Sequence, residues 1–331
     1  MLRIYFTGED ILRTRVAPAP DPLWELVLSL HLLQGRSRDP LMSTWRRSVT
    51  RRLSQDTAAD QMRLLFALNP PRGYFPDFLT PYESVSGFDA GLDAVRSTPA
   101  PMLRRDVALL AGANPLPASA SALARGETEV LAQLTRSMEQ YRDLAISPYW
   151  PRIQAAVEAD RNRRARALLD GGVEGLLASL RPAMRWASGV LEVRDYPHSR
   201  ELHLEGRGLL LVPSFFCART PVALLDPALP PVLVYPVDRL GGLAPAGGGD
   251  GVPAAGRDAL AALLGRTRAA VLEASTDGCT TGEVARRLDI SAAAASQHAT
   301  VLRNAGLLVS QRDRNTVLHT ITPLGRAVLN A

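Results

Sequence analysis

Residues 280–311 read TTGEVARRLDISAAAASQHATVLRNAGLLVSQ, and their order decides the fold of the C-terminal part of the chain. Thr280 and Glu283 stand ahead of an apolar run at capping-box spacing: the Thr280 hydroxyl takes the Glu283 amide and the carboxylate reaches back. The short helix that follows buries Val284, Ala285 and Leu288. Leu288-Asp289-Ile290-Ser291 is a tight turn in which Ile290 plugs the angle between two helices and Ser291 caps the next. That second helix runs from Ala292 to Ala305 and stops at Gly306, a glycine at the expected C-terminal place. At about 100° per residue, Ala295, Ala299 and Leu302 gather on one side of it. Ala293, Gln297, Thr300 and Asn304, flanked by Ser296, gather on the other. This outward side carries amides and hydroxyls instead of the charges of an idle solvated face. It suits base edges, because an amide pairs with adenine and a small methyl meets the thymine methyl.

Beyond Gly306, Leu307 to Gln311 and Thr316 to Ile321 form two strand-like runs around Arg312-Asp313-Arg314-Asn315. They predict a β-hairpin whose tip offers two guanidiniums to phosphates or to the minor groove. Pro323 opens a last helix, Leu324 to Leu329. Before the quoted stretch, Asp258 to Ala274 predicts a helix with Leu260, Leu263, Leu264, Val271 and Leu272 on its apolar face, broken at Asp277-Gly278. Helix, helix-turn-helix, hairpin and closing helix together make a winged helix-turn-helix over residues 257–331. The expected DNA contacts are Thr280, Thr281, Ser291, Ala293, Ser296, Gln297, His298, Thr300, Arg303, Arg312, Arg314 and Asn315. His298 lies beside the buried side, where packing or a bond to the preceding helix competes with a base or phosphate contact.

The pattern Ser291-(x4)-Ser296-x-His298-Ala299-x-x-Leu302-Arg303-x-Ala305-Gly306-Leu307-Leu308, preceded by Thr281-Gly282-Glu283-Val284-Ala285 and followed by the arginine-bearing hairpin, resembles the ArsR-type winged-helix repressors of bacteria. The resemblance implies a homodimer on a double-stranded DNA operator, acting as a transcriptional repressor, with dimer contacts from the first and last helices of the module. The preceding 240 residues are similar to the uncharacterised domain ahead of such modules in long regulators of high-GC bacteria. Metal-sensing members carry Cys-x-Cys on the first helix of the reading motif, or His and Asp on the last helix. Here Gly282 to Leu288 and Leu324 to Leu329 contain neither Cys nor His, so neither a metal nor a cofactor is expected. Ala292 to Ala295 replace the polar residues usual early in the reading helix, shifting readout onto Ser296, Gln297, Thr300 and the hairpin.

Composition bounds the rest. The 331 residues suggest about two domains, and 46% apolar with 21% charged residues exclude a disordered or fibrous chain. All 38 basic residues are arginine. Without lysine there is no Walker-A loop, Schiff base or lysine general base. Residues 257–331 hold nine arginines against six acids, and so lean toward a polyanion. Cys217 and Cys279 make no disulfide framework, and no signal peptide or membrane span is legible, so the chain is expected to be cytoplasmic.

Residues 1–240 predict an effector or dimerisation domain, open to a small-molecule effector. Helices are expected near 21–35, capped at Asp21-Pro22, and at 39–54, 57–68, 101–112, 126–145, 149–169 and 171–180. Strands are expected at 2–6, 190–193, 201–205, 209–212 and 232–235, joined in one small sheet. Residues 241–256, rich in Gly, Pro and Ala, read as a linker in preference to a phosphate cradle. The fold class is therefore α+β, predominantly α. His198, Glu201, His203 and Glu205 suggest a metal, but Glu201, His203 and Glu205 alternate with leucines as the outer face of a strand does. Arg161, Arg163, Arg164 and Arg166 read as a solvated helix face. No hydrolase signature occurs, so a DNA-binding non-enzyme is expected. The alternatives are an enzyme, or a protein-binding scaffold, with the activity in residues 1–240.

Overall fold

The computed structural model describes residues 1–35, 40–55, 62–71, 73–218, 220–239, 260–276, 278–313 and 316–329, with backbone alone at 40, 41, 55, 312, 313 and 316. It is mostly helical with small sheets and divides into two compact units, Met1–Gly247 and Gly248–Ala331. The expected linker at 241–256 lies outside the described residues. No helix among the described residues is long and apolar enough to cross a membrane.

In the first unit, strand β1 (Leu2–Tyr5) is followed by α1 (Gly8–Arg13), β2 (Arg15–Val16) and α2 (Pro22–Gln34). The Asp21 carboxylate accepts from the amides of Leu23 and Trp24, and Pro22 opens the helix. Buried along most of its length, with Glu25 and Ser29 among its apolar side chains, α2 runs through the core. Around it pack α3 (Pro40–Gln55), α4 (Arg63–Leu68), α5 (Phe88–Arg96), α6 (Ala100–Ala111), α7 (Ser119–Ala124) and α8 (Thr128–Ala145). Helix α9 (Trp150–Ala178) is interrupted at Gly171 and Gly172, the latter at φ 62°, where the sequence also predicts a break.

The strands form two sheets where one was expected. Strand β1 pairs antiparallel with β4 (Val190–Val193) and parallel with β5 (Arg200–His203), and β3 (Arg185–Ala187) flanks β4. A second sheet has the order β2, β6 (Leu210–Ser214), β8 (Val232–Pro236), β7 (Val222–Ala223), with β6 and β8 parallel. The reason for the separation is burial. Leu210, Val212, Val232 and Val234 face the helical core, whereas Leu211, Leu233 and Tyr235 face the core shared with β1 and β4. A sheet covered on both sides needs a continuous apolar run and loses the alternation that would mark its partners.

In the second unit, residues 260–264 are helical and α10 spans Arg266–Ala274. The continuous helix expected from Asp258 is broken at Gly265, which takes φ 84°, a left-handed value open to glycine at no steric cost. The break re-phases the apolar stripe: Leu260 is buried, but Leu263 points outward at 77% exposure. Then come β9 (Cys279–Thr280), α11 (Thr281–Leu288), α12 (Ala292–Asn304), β10 (Leu308–Asp313), β11 (Thr316–Ile321) and α13 (Pro323–Leu329). Strand β11 lies between β10 and β9, antiparallel to both; the two-residue β9 has no periodicity to announce it. Val271, Leu272, Val284, Ala295, Leu302 and Ile321 form part of a separate core. Gly325 lets α13 reach that core, since a Cβ there would lie 2.2 Å from the Leu307 carbonyl oxygen.

Candidate nucleic-acid interface

The two helices at the centre of the second unit are held by local hydrogen bonds. The Glu283 amide donates to Thr280 Oγ1 at 3.3 Å, and the Thr280 amide donates to Glu283 Oε2 at 2.7 Å. The Thr280 amide and hydroxyl, both donating to it, hold the Glu283 carboxyl below its ordinary range. Helix α11 ends at Asp289 in the left-handed region, with φ 51° and ψ 49°, and its amide closes on the Ala285 carbonyl. Half-buried Ile290 packs on the core beneath this turn. Ser291 then caps α12, its hydroxyl accepting from the Ala294 amide at 3.1 Å. At the far end Gly306, at φ 73°, donates to the Arg303 carbonyl and Leu307 to the Leu302 carbonyl, each at 2.9 Å.

This scaffold fixes the faces of α12. Ala295, Ala299 and Leu302 are each 1% exposed. Ser291, Ala293, Ser296, Gln297, Arg303 and Asn304 are exposed, while His298 and Thr300 are half-buried. The exposed face therefore presents one amide near its middle, Gln297, with the Asn304 amide near its C-terminal end and a hydroxyl and a guanidinium alongside. Small alanines at its first turn keep the backbone accessible. Among the described residues no ion pair engages Arg303, nor Arg286 and Arg287 in the last turn of α11, which the sequence reading does not single out. The hydroxyls of Thr280 and Thr281 are half-buried and engaged internally, the former by Glu283. Backbone pairing carries the hairpin out to Asp313 opposite Thr316. Arg314 and Asn315, and the side chain of Arg312, lie outside the described residues.

His319 is the residue that the sequence reading misses. It sits on β11, 5% exposed, with Nε2 2.9 Å from Thr281 Oγ1 and Nδ1 2.8 Å from Ser310 Oγ. The ring thus ties the first turn of α11 to both long strands of the hairpin. Burial, and then the nearby Arg303 charge, push its pKa below the ordinary value. Its alternation with Ile321, buried on the same strand face, is the signal that finds it.

In the first unit, two of the four suggested metal residues have other engagements. His203 stacks on Tyr5 with ring centroids 4.6 Å apart, and Glu201 accepts from the Tyr5 hydroxyl. Among the described residues no cluster of three or more His, Cys, Asp or Glu has metal-binding geometry. Cys217 and Cys279 are both buried and free. Comparison with protein-family models, curated proteins and solved structures found no match to this chain.

Proposed function

We propose that residues 257–331 are a winged helix-turn-helix that reads duplex DNA, and that the chain is a cytoplasmic, homodimeric transcriptional regulator of the ArsR type acting as a repressor. The observation that carries this reading is the exposed, amide-bearing face of α12, set on a core-packed back and flanked by arginines that make no ion pair among the described residues. A helix of this kind in the major groove places Gln297 against a base edge, while Arg303 and the hairpin arginines meet phosphates. One such helix covers too little DNA for a specific site, so two copies should occupy half-sites about 34 Å or a multiple apart.

The test is recovery of genomic DNA bound by the full chain, followed by footprinting of the recovered sites. A pseudo-palindrome protected by two protomers supports the proposal. Protection of a single asymmetric half-site removes the dimer, and no preference for any duplex over scrambled sequence removes the regulator.

A further inference from the structure

A cleft of about 1090 Å³ opens in the first unit beyond the carboxyl end of β8, where Tyr235, Pro236 and Val237 form part of its wall. Parallel β6 and β8 end together there, Ser214 opposite Pro236. The carboxyl ends of parallel strands are where open sheets with helices on their faces collect ligands. Pro182, Ala183 and Pro236, exposed or half-buried, give the cleft an apolar lining, and its volume is at the upper end of small-molecule sites.

Its charges are unequal in their commitments. Asp160, fully buried on α9, accepts from the Tyr235 hydroxyl at 2.7 Å and pairs with Arg164 at 2.7 Å and Arg163 at 3.1 Å. Arg164 also donates to Ser179 and lies over the Tyr235 ring, so its guanidinium is held in place. Only 13% of that side chain is exposed, which corrects the reading of a solvated face for Arg164, while Arg163 and Arg166 of the same run are exposed as expected. Arg163 reaches Asp238 as well, and Arg185 pairs with Glu192 at 3.0 Å. Two lining guanidiniums remain, Arg181 and Arg194, both exposed and without a hydrogen bond or ion pair among the described residues. The lining sets five arginines against four carboxylates, Asp160, Glu192, Asp195 and Asp238, and although the charge of Arg194 is also felt by Glu192, the cleft keeps a surplus of one positive charge.

We propose that this cleft binds a small oxyanion-bearing molecule, a phosphate ester or a dicarboxylate, through Arg181 and Arg194, with its apolar part on Pro182, Ala183 and Pro236. Guanidinium forks match both anions bidentately, and the Asp160 network beneath keeps the neighbouring arginines from collapsing onto the ligand's place. Binding fits better than catalysis: Asp160 has both oxygens engaged, and burial together with the Asp160 charge holds the Tyr235 hydroxyl far above its ordinary range.

The test uses the full chain with inorganic phosphate or succinate as probe, against chloride at constant ionic strength, following the melting of tryptophan fluorescence. Either probe should raise the midpoint saturably. Arg181→Gln combined with Arg194→Gln should weaken the apparent affinity about tenfold or more, whereas Arg104→Gln with Arg166→Gln, exposed and outside the cleft, should leave it unchanged. A response to phosphate alone assigns a phosphate ester, and one to succinate alone a dicarboxylate. The proposal is overturned by the absence of a saturable rise with either probe, or by an equal rise in both double variants. It is equally overturned if loss of Arg181 and Arg194 lowers the salt dependence of duplex binding instead, since the guanidiniums would then serve nucleic acid.

Discussion

Replacing His319 by phenylalanine keeps a ring of similar size in a site only 5% exposed and removes both of its hydrogen bonds, at 2.9 Å to Thr281 and 2.8 Å to Ser310. A neutral intramolecular hydrogen bond is worth about 0.5–1.5 kcal/mol net, so the pair accounts for about 1–3 kcal/mol in the second unit. In a unit of this size each kcal/mol moves the midpoint by about 4–8 °C. The loss is readable because all four tryptophans, Trp24, Trp45, Trp150 and Trp186, lie in the first unit. Tryptophan fluorescence therefore follows that unit alone, and far-ultraviolet circular dichroism follows both. His319→Phe should lower the dichroism transition and leave the fluorescence transition in place. Ser310→Ala and Thr281→Val should each cost part of the same energy in the parent and nothing further in the His319→Phe background. The pH sign follows from the depressed pKa. The unfolded chain takes up the proton near 6.5 and the folded unit only at lower pH. Stability is thus full above about 6.5 and falls as pH drops below it; His319→Phe should flatten that slope. A change within about 0.5 kcal/mol of the parent, or full additivity with the two hydroxyl deletions, would refute the bridge.

Glu25, fully buried on α2, accepts from Ser214 Oγ and the amides of Phe215 and Phe216, yet burial pushes its pKa up to about 7. Its contribution to the first unit should be full below about 4.5 and should decline by about 3 kcal/mol as pH rises to about 7. In Glu25→Gln this decline should vanish, read as the difference in tryptophan-monitored denaturation between the two proteins. Gly325→Ala should destabilise the second unit by about 1–3 kcal/mol, because its Cβ meets a backbone oxygen that cannot step aside; an unchanged dichroism transition counts against the packing described for α13. On a recovered operator, Gln297→Ala should cost about 1–3 kcal/mol and relax preference at one base pair. Arg303→Ala should weaken operator and scrambled duplex alike and reduce the salt slope by about one. Equal loss on both duplexes for Gln297→Ala would reverse the two assignments.

Read alone, the sequence determined the local apparatus of the second unit: the capping box at Thr280, the turn at Asp289-Ile290, the Ser291 cap, the Gly306 stop, and the buried alanines that leave Gln297 outside. Each depends on residues within a few positions of one another, where helical period and cap chemistry act directly on the backbone. The Asp21 cap and the break near Gly171 were legible for the same reason. Tertiary structure decided what distance in the chain conceals. Glu25 sits among leucines, and only the amides of Phe215 and Phe216, 190 residues further on, give its carboxylate a place. Tyr235 finds Asp160 across 75 residues, turning part of an arginine run into the wall of a cleft. Strands β6 and β8 belong to a sheet of their own because both faces are covered, and a strand without alternation does not declare which sheet it joins. His319 likewise acquires its role only when β11 pairs with β10 and the first turn of α11 closes over it, since a hydrogen bond is set by where two chains meet in space and not by either residue's neighbours in sequence.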